Sequence, residues 1–218
     1  MKIHRETVAE RATAQLRRSI LHSGLPPGTP VTEEAMSSQL GVSRTTMRQA
    51  LNTLMHEGLL TRHPTTRVLE VTTLSQDDVQ DIYRARRFLE LGGIDAAKEA
   101  SPQQLQQLEL AVQDLRRAVE SDDLEAFIHA DFQCHAAIVA FLGSRHLSET
   151  HALLMSKLRI AIAHITSDEQ DNLESLTIHE KFTQQILTGD LDAARKNLAH
   201  RLEESEHVVL GKALPSHS

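Results

Sequence analysis

Gly41-Val42-Ser43-Arg44-Thr45-Thr46-Met47-Arg48-Gln49-Ala50-Leu51, preceded by Thr32-Glu33-Glu34-Ala35-Met36-Ser37-Ser38-Gln39-Leu40, reads as two short helices joined by a tight turn. Thr32 is a good N-cap, and Glu33 and Glu34 fall in the first turn, where the helix dipole favours anions. Gly41 can adopt the left-handed conformation that ends the first helix. Ser43 then caps the second. On that second helix Met47, Ala50, Leu51 and Leu54 recur at helical spacing and face a core. This leaves Ser43, Arg44, Thr45, Thr46 and Arg48 at its outer, N-terminal end. A helix-turn-helix protein inserts this part of its recognition helix into the DNA major groove. An arginine fork suits guanine O6 and N7 or a phosphate, and Ser and Thr suit phosphates.

Working outward, residues 6 to about 22 form a helix with Val8, Ala12, Leu16 and Ile20 on one face. Gly24 and Pro26-Pro27-Gly28 stop it. Leu59-Leu60 and Arg67 to Val71 read as two short strands around a polar turn. Thr72 to Gln76 is the expected linker.

From there onward only helices are expected, over about 76–99, 101–119, 122–142, 145–166, 170–188 and 190–209, packed as a bundle. Ser75 caps the first. Ser101-Pro102 with Gln104 gives an N-cap, a first-turn proline and a capping-box partner. Asp122 with Glu125 reads as another capping box, and Gly143-Ser144 and Gly189 punctuate later ends. Gly92-Gly93 inside the first of these helices costs roughly 1 kcal/mol per Gly against Ala. Either a close helix–helix approach or a local break accounts for it.

The fold class is therefore mainly α, a winged helix-turn-helix over residues 1–73 and an all-helical domain over 74–218. Aromatics make up 3% of the 218 residues and Trp is absent, so Leu, Ile, Val and Ala must fill the core. The lone Cys134 excludes an intramolecular disulfide and fits a reducing cytoplasm; we read it as a core residue. No stretch resembles a signal peptide or a membrane span. The net charge of −7 hides an asymmetry: residues 1–73 hold nine Lys/Arg against six acids, +3, and the rest holds 14 against 24, −10. Only the first part is suited to nucleic acid.

The ordered run Leu25-Pro26-Pro27-Gly28-Thr29, Glu33 to Leu40, Gly41 to Leu51 and Leu54-x-x-Glu57-Gly58-Leu59-Leu60 resembles the winged helix of the GntR family of bacterial transcription regulators, over about residues 8–72. The resemblance implies DNA contacts at Arg44, Thr45, Thr46 and Arg48, and in the wing at Arg62 and His63. That family's wing carries a Gly at its tip, whereas this chain has Thr61-Arg62-His63-Pro64-Thr65-Thr66-Arg67, which implies a wing of different shape.

In the second domain Asp131 and His135 are four apart and share a helix face, a spacing at which carboxylate and imidazole can ligate one metal ion. With Tyr83-Arg84-Ala85-Arg86-Arg87-Phe88-Leu89-Glu90 and His179-Glu180 followed by Gly189-Asp190, they resemble the effector (FCD) domain of the FadR subfamily, over about residues 76–210. The resemblance implies a divalent metal such as zinc at Asp131, His135 and His179, beside a site for a small carboxylate. Its fourth ligand position falls at Arg201, with His200 one residue away. One residue is about 100° of helix rotation, so either Arg201 points inward as an anion anchor or a shifted helix brings His200 in. Arg86 and Arg159 are further candidates for effector binding.

The chain thus reads as a regulator, with repression relieved by effector as the expected sign. The resemblance and the single recognition helix both imply a homodimer on a palindromic operator. A metal-dependent enzyme using Asp131, His135 and His179, or a pure metal sensor, are the alternatives.

Overall fold

The computed structural model describes residues 6–21, 24–163 and 169–212. They fall into two compact units, Met1–Leu74 with Ser156–His164, and Ser75–Met155 with Ile165–Ser218. The first unit ends at Leu74, beside the expected 73/74 boundary, and Ser156–His164 groups with it, where Ile160 is buried in the apolar core.

The first unit contains α1 (Val8–Leu21), β1 (Pro30–Val31), α2 (Glu33–Leu40), α3 (Arg44–His56), β2 (Leu60–Arg62) and β3 (Leu69–Val71). The caps form as their residue types dictate. Thr32 accepts from Ala35 N, Ser43 accepts from Thr46 N, and Gly41 ends α2 in the left-handed region at φ 65°. The apolar stripe of α1 (Ala12, Leu16, Ile20) meets Met47, Ala50, Leu51 and Leu54 of α3 in one core closed by Leu60 and Val71. Arg17 grips Glu57 at 2.6 and 3.0 Å and ties α1 to the end of α3.

The three strands form an antiparallel sheet in the order β1-β3-β2, with Pro30 opposite Glu70 and Arg62 opposite Leu69. β1 was not expected. Two residues carry no alternation, and only pairing with β3 makes them a strand. In the wing, His63 N donates to Val68 O and Arg67 N donates to His63 O. The left-handed residue here is Arg67, at φ 60°. That is how this wing turns without the glycine.

The second unit is helical: α4 (Gln76–Ala96) with a 3-10 turn at Ala97–Glu99, α5 (Pro102–Glu120), α6 (Leu124–Ala140), α7 (Arg145–Ala163) up to Met155, α8 (Glu169–Leu187) and α9 (Leu191–Lys212). The expected extension of α7 to 166 lies outside the described residues. Ser75 and Ser101 form complete capping boxes, with Asp78 and Gln104 as their partners. The cap of α6 is Asp123, which accepts from Ala126 N, rather than Asp122. Asp122 instead takes φ 52° in the turn.

α4 packs on α6 and α9, and α5 on α6 and α8. Ile94, Leu108, Ile138, Phe182, Leu198 and Leu202 form one core, and Leu115, Ala130 and Cys134 belong to another. Gly93 settles the question raised by the glycine pair. A Cβ there would lie 2.3 Å from the Ile138 carbonyl oxygen, so α4 and α6 touch backbone to backbone, and α4 continues unbroken. No helix among the described residues is long and apolar enough to cross a membrane.

Candidate functional site

Among the described residues, two groups of side chains carry chemistry, one in each unit. In the first, α3 presents Arg44, Thr45, Arg48 and Gln49 on its exposed face. Arg44 Nη2 lies 2.9 Å from Glu34, and Arg48 donates to both oxygens of Glu33 at 2.9 and 3.1 Å. Both arginine side chains are about two-thirds exposed, at 66% and 64%. Such pairs contribute little to stability. They hold the guanidinium groups against the first turn of α2, where phosphate or guanine can replace the glutamates. Gln49 was not expected; it lies one turn on from Thr45 and can read an adenine edge.

Ser43 and Thr46 are bonded to each other at 2.8 Å, so both hydroxyls serve the cap. In the wing, Arg62 donates to the Arg67 carbonyl at 3.2 Å. His63 Nδ1 accepts from Thr65 N and Thr66 N, so that face of the ring builds the turn. Arg67, not among the residues expected to contact DNA, is a further exposed cation of the wing.

In the second unit, Asp131 and His135 on α6 and His179 on α8 bring one ligand atom each within 4.8 Å of one another. His179 Nε2 is 3.3 Å from Asp131 Oδ1, and His135 Nε2 is 3.8 Å from Asp131 Oδ2. The rings of His135 and His179 meet edge to face, with centroids 5.2 Å apart.

Tautomers decide what these atoms offer. His179 Nδ1 is 2.8 Å from the Ser175 carbonyl, which can only accept, so Nδ1 carries the proton. Its Nε2 is left as a lone pair, buried and without a hydrogen-bond partner among the described residues. His135 Nδ1 is 2.7 Å from Glu90 Oε2, and a carboxylate likewise only accepts, so in the neutral ring Nε2 is again bare. Burial pushes the His179 imidazolium down to about pKa 4 despite the pull of Asp131, so the ring is neutral at pH 7. Burial would raise Asp131, but His179, His135, Arg201 and Arg86 outweigh it and hold its carboxyl below the usual range.

With His135 in the neutral form that a metal ligand requires, the cluster offers two imidazole lone pairs and an ionised carboxylate turned on one another. Electron pairs so placed repel unless a cation joins them. Bonds of about 2.0–2.2 Å to zinc place tetrahedral ligand atoms roughly 3.4 Å apart; the two rings lie 3.3 and 3.8 Å from the Asp131 oxygens, and all three ligand atoms lie within 4.8 Å of one another. The donor set therefore fits a divalent metal. Oxygen and imidazole together admit zinc and its transition-metal neighbours.

Arg201 is the inward member of its pair. Its Nη2 donates to Ser175 Oγ at 3.2 Å, and that hydroxyl lies 3.5 Å from Asp131 Oδ1. His200 is 70% exposed and pairs with Glu204 at 3.2 Å. The expectation that a shifted helix supplies His200 as a ligand is thereby corrected: rotation along α9 turns it to solvent. Arg86 also needs correction as an effector residue. It is 2% exposed, donates to Glu90 at 2.8 Å and lies over the Tyr83 ring, so its charge is already matched. Arg159 falls in the α7 segment grouped with the first unit, whereas this cluster belongs to the second.

Sequence reasoning missed Glu90 and His151. Glu90 is fully buried and takes His151 Nε2 at 3.0 Å besides Arg86 and His135. One signal was present. Val79, Ile82, Tyr83, Arg86, Glu90, Gly93 and Ile94 lie on a single helical face of α4, and two opposite charges four apart within an apolar stripe mark a buried pair.

Comparison with known proteins agrees with both halves. The family described as "Bacterial regulatory proteins, gntR family" matches residues 8–68, and the FCD domain matches residues 81–204. The HTH-type transcriptional repressor RspR of Escherichia coli K12 is 32% identical over 199 residues, covering 89% of this chain and 85% of RspR. Among solved structures, a GntR transcriptional regulator from Rhodococcus sp. RHA1 superposes with TM-score 0.78 at 22% identity, over 93% of this chain and 97% of that one. McbR/YncC of E. coli gives TM-score 0.75 at 21% identity, over 94% and 98%.

Proposed function

This chain belongs to the GntR family of bacterial DNA-binding transcription regulators, with a C-terminal FCD domain, and from that premise we propose a repressor whose operator affinity is set by a small anionic effector bound beside a divalent metal. The family and the relatives are regulators, not enzymes.

The observation that carries the proposal is the bare, buried Nε2 of His179 facing the ionised Asp131 at 3.3 Å. Asp131, His135 and His179 hold the metal. When bound, the ion supplies a Lewis-acidic anchor for carboxylate oxygens. Charge favours an anion as effector. Arg86 and Glu90 cancel, both imidazoles are neutral as metal ligands, and Arg201 offsets Asp131, so the ion's two positive charges remain uncompensated. Arg201, a permanent cation with a planar fork, grips the anion from the α9 side. This role replaces the fourth histidine of the family pattern. A pure metal sensor is the second reading, and it needs no occupant at Arg201.

On the DNA side, Arg44, Thr45, Arg48 and Gln49 read the major groove, and Arg62 and Arg67 follow the backbone from the wing. One recognition helix spans too few base pairs, so two copies related by a dyad bind a palindromic operator. Repression is supported by the described role of RspR. An effector that binds one arrangement of the dimer better than the other changes operator affinity by its difference in affinity, typically 1–3 kcal/mol.

The test uses duplexes selected from a random library with the full chain. Fluorescence anisotropy with the selected duplex then measures affinity with zinc alone and with zinc plus a panel of small carboxylates. A drop of roughly five- to 150-fold with one carboxylate is expected. Affinity that responds to zinc alone supports the pure sensor. Indifference to both refutes effector control through this site.

A further inference from the structure

Glu90 is a buried carboxylate engaged by three side chains. It lies on α4, is 0% exposed, and receives donors from three helices: Arg86 Nε and His151 Nε2 on Oε1, His135 Nδ1 on Oε2. Burying a carboxylate is costly unless it is paired and hydrogen-bonded, and here it has both an adjacent guanidinium and two imidazoles.

The backbone is arranged to permit this. Gly93 lies three residues beyond Glu90, and Ile138 lies three beyond His135, so the backbone contact of Gly93 with Ile138 runs one turn from the Glu90–His135 hydrogen bond. Only a residue without a Cβ lets α4 come close enough for the short Glu90 side chain to reach the ring at 2.7 Å. Arg86 neutralises Glu90 from within the same helix.

We propose that Glu90 is the positioning residue of the metal centre: it fixes His135 in the Nδ1–H tautomer and thereby turns a bare Nε2 toward Asp131 and His179. The proposal deepens the metal reading above and rests on it for its consequence, since carboxylate–histidine partners of this kind set metal affinity through ligand basicity and orientation. His151 donates to the other oxygen of Glu90, at 3.0 Å, and so restrains the carboxylate that His135 meets.

The tautomer is measured directly by long-range 1H–15N correlation of the imidazole nitrogens in metal-stripped, 15N-labelled full chain, with His135 and His179 assigned by single substitutions. A protonated Nδ1 and a bare Nε2 on His135 are expected. Glu90→Leu combined with Arg86→Met removes the acceptor without leaving an unpaired buried cation. In that variant the His135 proton shifts toward Nε2 and the zinc Kd rises roughly 10–100-fold. The His179 tautomer, held by the Ser175 carbonyl, stays unchanged, which a general loosening of the bundle would not allow. A His135 that carries its proton on Nε2 in the parent chain overturns the proposal. So does a folded double variant with unaltered tautomer and zinc affinity. If the double variant does not fold, the parent spectrum decides. If the parent chain shows the expected tautomer yet takes no zinc, the metal reading fails and the positioning by Glu90 stands.

Discussion

Gly93→Ala should wedge two helices apart at the point where the metal centre is held together. Propensity alone favours the change by about 1 kcal/mol. The structure opposes it. The new Cβ would sit 2.3 Å from the Ile138 carbonyl oxygen and 2.8 Å from its carbon, against an ordinary separation of about 3.5 Å. Helices α4 and α6 must therefore part by roughly 1 Å, an overpacking cost of about 1–3 kcal/mol. The same movement stretches the 2.7 Å bond between Glu90 and His135 beyond hydrogen-bond range, at about 1.5–3 kcal/mol for a charged acceptor. The net destabilisation is roughly 1.5–5 kcal/mol. Gly92→Ala is the internal control, because its Cβ meets only Leu142 Cδ2 at 3.6 Å and should keep the propensity gain. Thermal melts of the full chain by far-UV circular dichroism compare the two. The midpoint should fall by several degrees for Gly93→Ala and hold or rise for Gly92→Ala, and zinc affinity should drop only in the former. A Gly93→Ala chain as stable as the parent would refute the close approach.

Arg48→Ala and Arg44→Ala should each weaken binding to a selected duplex, and removing an arginine that neutralises a phosphate lowers the salt slope by about 1; unchanged affinity for both removes α3 from the interface. Acidification should destabilise the metal-free protein through His179. Its pKa is about 4 folded against 6.5 for the free side chain, so the unfolded chain binds more protons between those values. Stability is full above pH 6.5 and declines toward pH 4, by about 3 kcal/mol from this ring; denaturant midpoints at about pH 7 and pH 4.5 should converge in His179→Gln relative to the parent. Arg67→Gly relieves a left-handed non-glycine residue at φ 60° and should raise stability by up to about 1 kcal/mol while weakening DNA binding; a stronger complex would exclude Arg67 from the interface.

Local signals were legible in the sequence because they act within one turn. Thr32, Gly41, Ser43, Ser75 and Ser101 all cap as their residue types require. The pair Asp122-Asp123 shows the limit of such reading, since either carboxylate can cap and only the turn geometry selects Asp123. The strand Pro30–Val31 exists only through its partner β3 and has no pattern of its own. At the site, spacing placed Asp131 and His135 on one face, and resemblance brought in His179. The facing of Arg201 and His200 depended on the rotation of α9, which the packing of Leu198 and Leu202 decides. Glu90 and His151 are 61 residues apart and meet only in the folded bundle. Arg86, read as an effector anchor, illustrates the same point: its partner four residues on was in view, but its burial was not.

The most direct test is calorimetric titration of zinc into the chelator-stripped chain, alongside Asp131→Ala and Arg201→His. The account predicts tight binding in the parent, loss in Asp131→Ala, and tighter binding in Arg201→His, where an imidazole replaces a cation next to the ligands. Absence of zinc binding in the parent, or binding indifferent to Asp131, would contradict it.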